Sequence, residues 1–417
     1  MNLFSGGVMA KSSLFGVWGV LSLCLMGTQL AAQESSPRNW NAAVNYWQAF
    51  GLMPEWTEDE KKVRESLPED FSASLPAGVK ELTERSGAAL KALEPATRLE
   101  KCDWQLDIAQ GPMLVLPHVQ KARELARQSD LRARYRFSQG DSAGAIDDIR
   151  ASLGLSRAIG KDQLLISMLV QIAIDRESMN LAAAYLPQLS ETERKQLLDV
   201  CQQSRAGTAL VDSLRMEKKV FGGWLKAEFE KATAGKGAEE SAGEFLKSLW
   251  ALAVMPPGPE ANARIEALSK VNVEMARKAI EEYLADCDEM IRIGELDFAQ
   301  RRSELAKFDQ ELKKAKVEVR KAIEEEKGLG RQLSLLLLPS ISAISETEEA
   351  WIARGKLFQV ALKGTGGGES GISAAAKELG IKVDYSAKEK GFELSTPLTK
   401  EGKVEKLSIG GGYRATK

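Results

Sequence analysis

Apolar residues recur at spacings of three and four along most of the chain, a pattern that predicts a mostly α-helical protein. The clearest stretch runs from Pro117 to Leu186, where Gly140 and Asp141 separate two helical patterns. After this break, Ala145, Ile149 and Leu153 share one helix face. The stretch therefore predicts a helical hairpin whose apolar inner face must be covered by neighbouring helices.

The spacing of Gly140, Ala145, Ile149 and Leu153 resembles that of a tetratricopeptide (TPR) unit. In such a unit the glycine lets the chain reverse, and the small alanine lets the two helices approach closely. The next helical pattern, residues 163–185, is apolar nearly all round, as expected at the centre of a multi-helix core. We therefore expect a TPR-like helical array over residues 39–255.

A second pattern begins beyond Pro259 and predicts a long helix or a helical hairpin over residues 259–338. Apolar residues from Ile280 to Val319 form a coiled-coil seam that is interrupted near Gly294. A hairpin bent at this glycine would pack its two halves on each other. A single rod would need a partner chain instead.

The C-terminal residues 346–417 predict a small α+β tail. A helix is followed by the glycine-rich stretch from Gly364 to Gly371, which is expected to be a flexible connector, and then by a short second helix. Three segments with alternating apolar and polar residues then predict a small antiparallel sheet. This order resembles the C-terminal part of type II secretion pseudopilins, although the methylated N-terminal helix of that family is missing.

The first 32 residues have the pattern of an export signal. Lys11 precedes the apolar run of residues 14–30, and Ala31 and Ala32 suit a signal peptidase that cuts before Gln33. We therefore expect an exported protein of the periplasm, the cell envelope or the extracellular space. The alternative is that the run is retained as an uncleaved anchor.

Composition agrees with this interpretation and excludes some partners. A chain of 417 residues can form two or three domains, and its formal net charge of −2 gives no sign of a nucleic-acid partner. Lys and Glu alternate at helical spacing over residues 311–326, which is typical of a solvated helix face.

Three cysteines, Cys102, Cys201 and Cys287, remain after the predicted signal is removed. They allow one disulfide with a free thiol, or three buried thiols. They form no CxxC pair, so the sequence predicts no metal site.

His118 is the only histidine in the chain, so any nucleophile that relies on an imidazole base must use it. Cys102 and Asp103 are its nearest candidate companions, which makes a Cys102–His118 thiol site oriented by Asp103 one hypothesis. The competing interpretation is that His118, directly after Pro117 at a helix start, serves packing or capping. Trp104 is either a stacking platform for a ligand or a plug over the core.

Other motifs predict no cofactor. The segment from Gly364 to Gly371 lacks the GK[ST] ending of a phosphate-binding loop, and HExxH and GxSxG are absent. The carboxylates between Glu281 and Glu289 are expected on a solvated helix face rather than around a cation. Asp147 and Asp148 are likewise expected on an outward edge.

One wider resemblance covers residues 40–225. The order CDW, Gly-Pro, LPH, an Ala- and Arg-rich helix, a Gly-Asp turn and an LIS-containing apolar helix resembles a group of uncharacterised exported helical proteins of bacteria. The resemblance implies a shared fold and export, and the group has no established activity. The matching residues are Cys102, Asp103, Trp104, Gly111, Leu116, Pro117, His118, Gly140, Asp141, Leu165, Ile166 and Ser167.

The sequence therefore favours an exported helical scaffold or binding protein that engages a protein or peptide on the concave surface of stacked helices. One alternative is an exported thiol-dependent hydrolase that uses Cys102 and His118. Another is a component of an envelope or secretion assembly, suggested by the seam and by the pseudopilin-like tail.

Overall fold

The structure, a computed structural model, describes residues 40–71, 73–204, 209–235, 237–253, 267–314, 321–322, 325, 328–338, 340–398 and 404–410. The predicted export signal and the seam residues Ala315 and Val319 lie outside these ranges. The described residues are mostly helical, and a small antiparallel sheet lies near the C-terminus. The predicted fold class is therefore confirmed.

The helices and strands are numbered in chain order. The helices are α1 (Ala42–Gly51), α2 (Glu58–Glu65), α3 (Val79–Arg85), α4 (Gly87–Ala96), α5 (Pro117–Ser138), α6 (Ser142–Ile159), α7 (Leu165–Tyr185), α8 (Glu191–Ser204), α9 (Leu210–Glu217), α10 (Gly223–Ala232), α11 (Ala238–Ala253), α12 (Val273–Gly294), α13 (Phe298–Lys314), α14 (Leu329–Leu337), α15 (Ile341–Gly364) and α16 (Gly368–Glu378). The strands are β1 (Asp384–Lys388), β2 (Gly391–Pro397) and β3 (Val404–Gly410).

The break between α5 and α6 forms as the sequence predicts. Gly140 has φ +78°, a left-handed conformation that favours glycine, and it reverses the chain. The Asp141 side chain then accepts a hydrogen bond from Gly144 N at 3.0 Å and caps α6. A Ser190–Glu193 capping box likewise starts α8.

Hydrogen bonds between side chains fix the directions of α5, α6 and α7. Ser178 of α7 contacts Asp130 of α5 and Ser152 of α6, while Asp175, one turn earlier on α7, contacts Ser156, one turn later on α6. Helices α6 and α7 therefore run antiparallel. His118 at the start of α5 is joined through Asp162 to the start of α7, so α5 and α7 run parallel. This up-down-up order is the one expected of a TPR-like array.

The middle of the array contains polar side chains that are fully buried. Asp148 is one of them, with 1% exposure, and its carboxylate accepts hydrogen bonds from Arg132 and Arg136. The expectation that Asp148 lies on an outward edge is therefore wrong, whereas Asp147 is exposed. Two arginines from α5 neutralise Asp148 across the hairpin, which a helix-face pattern within α6 alone does not reveal.

Helices α12 and α13 form a helical hairpin. Its first helix, α12, ends at Gly294 as predicted. The seam residues Leu305, Phe308 and Leu312 are buried in a cluster with residues of α7, α9 and α15. The described part of the seam therefore packs within the chain. Asp286 is 6% exposed and accepts hydrogen bonds from Arg331 and Ser334, so it does not lie on a solvated face as expected.

The tail forms a three-stranded antiparallel sheet in the order β1-β2-β3. Its inward residues Leu394, Leu407 and Ile409 share one hydrophobic cluster with residues of α6, α7, α8 and α15. The predicted array and tail are thus joined by a common core. The stretch from Gly364 to Gly371 is helical rather than a flexible connector, because its glycines let α15 and α16 pack backbone against backbone.

Among the described residues, no helix combines the length and apolar character needed to cross a bilayer.

Candidate functional site

The loop that carries the candidate residues is tied to the first helix. Asn41 donates from Nδ2 to the carbonyl oxygen of Asp103 at 2.8 Å, and its Oδ1 accepts from Asp103 N at 2.8 Å. The Asp103 carboxylate accepts from Gln105 N at 2.9 Å. Gln105 has φ +54°, a strained value for a residue other than glycine. This turn directs Trp104 inward.

Trp104 is a plug over the core. Its indole is 7% exposed and donates from Nε1 to the carbonyl oxygen of Ala158 at 2.9 Å. One ring contact is to His118, with centroids 4.6 Å apart, and another is to Phe50 at 6.2 Å. These contacts occupy the indole, so it offers no open face on which a ligand would stack.

His118 is fully buried and pairs with a carboxylate from another part of the chain. Its Nε2 lies 2.9 Å from Asp162 Oδ2, which also accepts from Ser167 Oγ at 2.7 Å. The other Asp162 oxygen accepts from Leu164 N at 2.9 Å, at the start of α7. The carboxylate that orients the imidazole is therefore Asp162 and not Asp103. The pair joins the beginnings of α5 and α7.

Cys102 lies beside this framework, in the wall of a cleft of about 740 Å³ that we call the Cys102 cleft. The cleft lies between the end of α4 and the outer side of α6, and its lining includes Tyr46, Thr97 and Arg157. Burial raises the pKa of the Cys102 thiol to about 12, and the negative charges of Asp103 and Asp162 add to this effect. The thiol is therefore protonated near neutral pH, which is the unreactive form of a cysteine.

The Cys102 cleft and the His118 imidazole do not form one reactive centre. The cleft is lined by Cys102, whereas His118 is fully buried against Trp104. A catalytic thiol needs a general base within hydrogen-bond reach that can also contact the substrate, and a fully buried imidazole cannot do so. The geometry thus gives the thiol hypothesis no accessible Cys–His pair. Cys102, Cys201 and Cys287 form no disulfide with one another.

A second cleft, of about 530 Å³, lies where α2 faces the parallel helices α5 and α7. We call it the Phe71 cleft. Its apolar lining consists of Leu67, Phe71, Leu131 and Leu181. Leu131 and Leu181 are buried at 9% and 2% exposure, while Leu67 and Phe71 are half-buried. The cleft therefore offers an apolar floor with a partly open wall.

Arginines fix the open wall of the Phe71 cleft. Arg134 donates from Nη1 to the carbonyl oxygen of Pro68 at 2.9 Å and from Nη2 to that of Asp70 at 2.6 Å. Its guanidinium carbon lies 5.3 Å from the centre of the Phe71 ring. Arg64 of α2 pairs with Glu124 of α5 at 2.9 Å. These contacts hold the loop after α2 against α5, so the cleft is preformed.

The floor of the Phe71 cleft contains a carboxyl group in a polar network. Both Asp130 oxygens lie within 3.1 Å of Ser178 Oγ, which is 2.9 Å from Ser152 Oγ. Burial, followed by the nearby charge of Glu177, raises the pKa of Asp130 well above its usual range. A raised pKa makes protonation easier than for an exposed carboxyl group, and a protonated carboxyl group can donate as well as accept hydrogen bonds.

Sequence reasoning missed Asp130, Asp162 and Asp175, which anchor the polar contacts between α5, α6 and α7. One signal was available: Ser167, Gln171, Asp175 and Ser178 form a polar stripe at spacings of four, four and three on the apolar helix α7. A polar stripe on the buried side of an apolar helix indicates polar partners on its neighbours.

In the described part of the chain, no three His, Cys, Asp or Glu side chains come together as metal ligands. The carboxylates near residue 286 take part in separate ion pairs, with Asp286 bound to Arg331 and Glu289 to Arg292.

No family model matches this chain, and neither a curated protein nor a solved structure shows significant similarity to it. The resemblance to exported bacterial helical proteins stays a prediction that depends on the CDW, LPH and Gly-Asp residues.

Proposed function

We propose that this chain is an exported binding protein that holds a peptide or an extended protein segment in the Phe71 cleft. The observation that carries the proposal is the apolar floor of this cleft, formed where parallel helices α5 and α7 meet the α2 loop. Such a floor accepts an apolar side chain of a ligand, and polar groups around it fix the ligand's orientation.

The polar surroundings suit a polypeptide. Arg127 and Glu177 are exposed at the rim, and they can pair with acidic and basic ligand side chains respectively. A cleft of about 530 Å³ has room for a few side chains, so the remainder of a ligand would extend along the array surface. The fixed loop at Pro68 means that little ordering entropy is lost on binding.

The proposal is tested by selecting ligands from a random dodecapeptide display library on the purified protein. Selected peptides are then measured by titration calorimetry. We expect Leu67→Glu to weaken their binding at least about tenfold, because a charge would then sit in the apolar wall. The matched control is Leu99→Glu, another half-buried leucine, which lines the Cys102 cleft instead.

Selection without enrichment would contradict the proposal. Loss of binding in Leu99→Glu with retention in Leu67→Glu would move the site to the Cys102 cleft. Export is tested separately, by fractionating cells that express the full chain and sequencing the N-terminus of the protein recovered. An N-terminus at Gln33 outside the cytoplasm is the expected result, and an intact leader in the cytosol would overturn it.

A further inference from the structure

Large apolar side chains are exposed on the outer side of α1, beside Gln48, and directly before the helix. Trp40, Val44 and Trp47 lie at spacings of four and three, and their exposed fractions are 58%, 68% and 39%. We call these three residues the Trp40 stripe. The inner face of α1 is apolar, and it packs into the core around Tyr46 and Phe50. Helix α1 contains no charged residue.

A surface helix normally places polar residues on its solvent side, whereas two of the exposed side chains of α1, Val44 and Trp47, are large and apolar. Exposed apolar residues of this size are typical of a surface that is covered by another apolar surface. Four of the eight large apolar side chains exposed in the described part of the chain lie between Trp40 and Leu52. The exposure is therefore concentrated at α1 and not scattered over the surface.

The size of the stripe argues against a second copy of the chain as its cover. A tryptophan side chain has an area of about 250 Å², so the exposed parts of Trp40, Val44 and Trp47 sum to about 350 Å². A stable protein interface buries about 800 Å² on each partner. A lipid surface requires no such area and no complementary shape, because an apolar helix face enters the interfacial region directly.

The residue types point to a lipid surface. Indole rings concentrate at the level of lipid headgroups, where one edge is apolar and the N–H remains hydrated.

We propose that the Trp40 stripe docks α1 on the surface of a lipid bilayer, with both indoles at headgroup depth. The bilayer covers the Trp40 stripe, while the inner face stays in the protein core. Helix α1 packs on the hydrophobic cluster that contains Trp104, and none of its residues lines the Phe71 cleft. Lipid docking is therefore independent of peptide binding.

The test uses the chain that begins at Gln33, the expected product of leader cleavage, with vesicles of phosphatidylcholine and phosphatidylglycerol prepared with and without brominated acyl chains. The variant Trp40→Phe/Trp47→Phe keeps the stripe apolar but removes its two fluorophores. The difference between the spectra of the protein without these substitutions and this variant isolates the fluorescence of Trp40 and Trp47 from that of the other tryptophans. We expect brominated lipid to quench this difference signal at least about twofold. An unquenched signal, whether the protein binds the vesicles or stays free, would overturn the proposal.

A second variant, Trp40→Gln/Val44→Gln/Trp47→Gln, removes the apolar stripe. An environment-sensitive fluorophore is attached at exposed Lys101, and its emission is compared with and without vesicles. In this variant we expect the emission with vesicles to equal the emission without them. The control Met113→Gln/Val115→Gln/Ile166→Gln removes three equally exposed apolar residues outside α1. An equal fall in this control would show general apolar adsorption and overturn the proposal. A dimer seen by light scattering without lipid would also overturn it.

Discussion

His118 Nε2 lies 2.9 Å from Asp162 Oδ2, and both side chains are buried. The pair joins the first turn of α5 to the turn that starts α7, and Trp104 packs over the imidazole. Because a buried carboxylate that loses its hydrogen-bond partner costs free energy, this contact is a structural link between two parallel helices of the array.

We therefore expect His118→Ala to lower the free energy of unfolding by about 3 kcal/mol, since it leaves Asp162 without one partner and leaves a void beneath Trp104. Urea denaturation followed by circular dichroism measures the effect. Asp103→Asn is the control, because that carboxylate is exposed and accepts only a local hydrogen bond from Gln105. Equal unfolding midpoints for His118→Ala and the unmodified protein would contradict the role of this contact in linking α5 to α7.

The Cys102 thiol should react slowly. A pKa near 12 instead of 9.0 reduces the thiolate fraction about a thousandfold near neutral pH. Iodoacetamide labelling, followed by mass spectrometry of the Cys102 peptide, is expected to be slow in the native protein and fast in urea. The urea-unfolded chain is the internal control. Rapid native labelling of Cys102 would revive the thiol-enzyme hypothesis.

Asp175 makes stability depend on pH. Burial raises its pKa from 3.8 to about 7, against the opposing hydrogen bonds of Ser156 and Trp351. Between these two values the folded state binds more protons than the unfolded state, so stability falls as pH rises from about 4 to about 7. Above that range, ionising the buried Asp175 carboxyl group lowers the free energy of unfolding by about 4 kcal/mol. Below that range the group is protonated in both states and this loss is absent.

Asp175→Asn removes this titration, although the amide nitrogen cannot accept one of the two hydrogen bonds. We expect the stability of Asp175→Asn relative to the unmodified protein to increase from pH 4.5 to pH 8, by up to about 4 kcal/mol. Urea titrations at several pH values give the difference. Asp147→Asn, at an exposed carboxylate, is the control. A flat difference for Asp175→Asn would show that its carboxyl group titrates normally.

The tail should unfold together with the array. Leu407 of β3 is fully buried in the cluster shared by α6, α7, α8 and α15. Truncation to alanine is expected to cost about 3 kcal/mol and to shift a single cooperative transition. Val404→Ala, on the same strand but 42% exposed, should change stability little. An early separate transition in Leu407→Ala would show that the tail is an independent unit.

Two glycines of the predicted connector are required by close packing. A Cβ at Gly371 would lie 2.5 Å from the carbonyl oxygen of Gly364, so Gly371→Ala forces α15 and α16 apart. We expect a cost of about 2 kcal/mol, measured by thermal unfolding with a full van't Hoff analysis. Gly367→Ala is the matched control, since no atom lies within 4 Å of its Cβ position. Equal stability of the two variants would mean that the connector is loose.

The sequence by itself determined the helical class, the turn at Gly140 and Asp141, the end of α12 at Gly294 and the small sheet. These features depend on local rules: apolar spacing, the freedom of glycine and the capping of helix ends. They are visible in neighbouring residues.

Only the tertiary structure decided which distant groups meet. It paired His118 with Asp162 instead of Asp103, buried Asp148 between two arginines of α5, and packed the described part of the seam within the chain. It also made the Gly371 region a tight helical contact. A carboxylate has the same local pattern whether it faces water or a cation on another helix, so its burial follows from the packing of the whole chain.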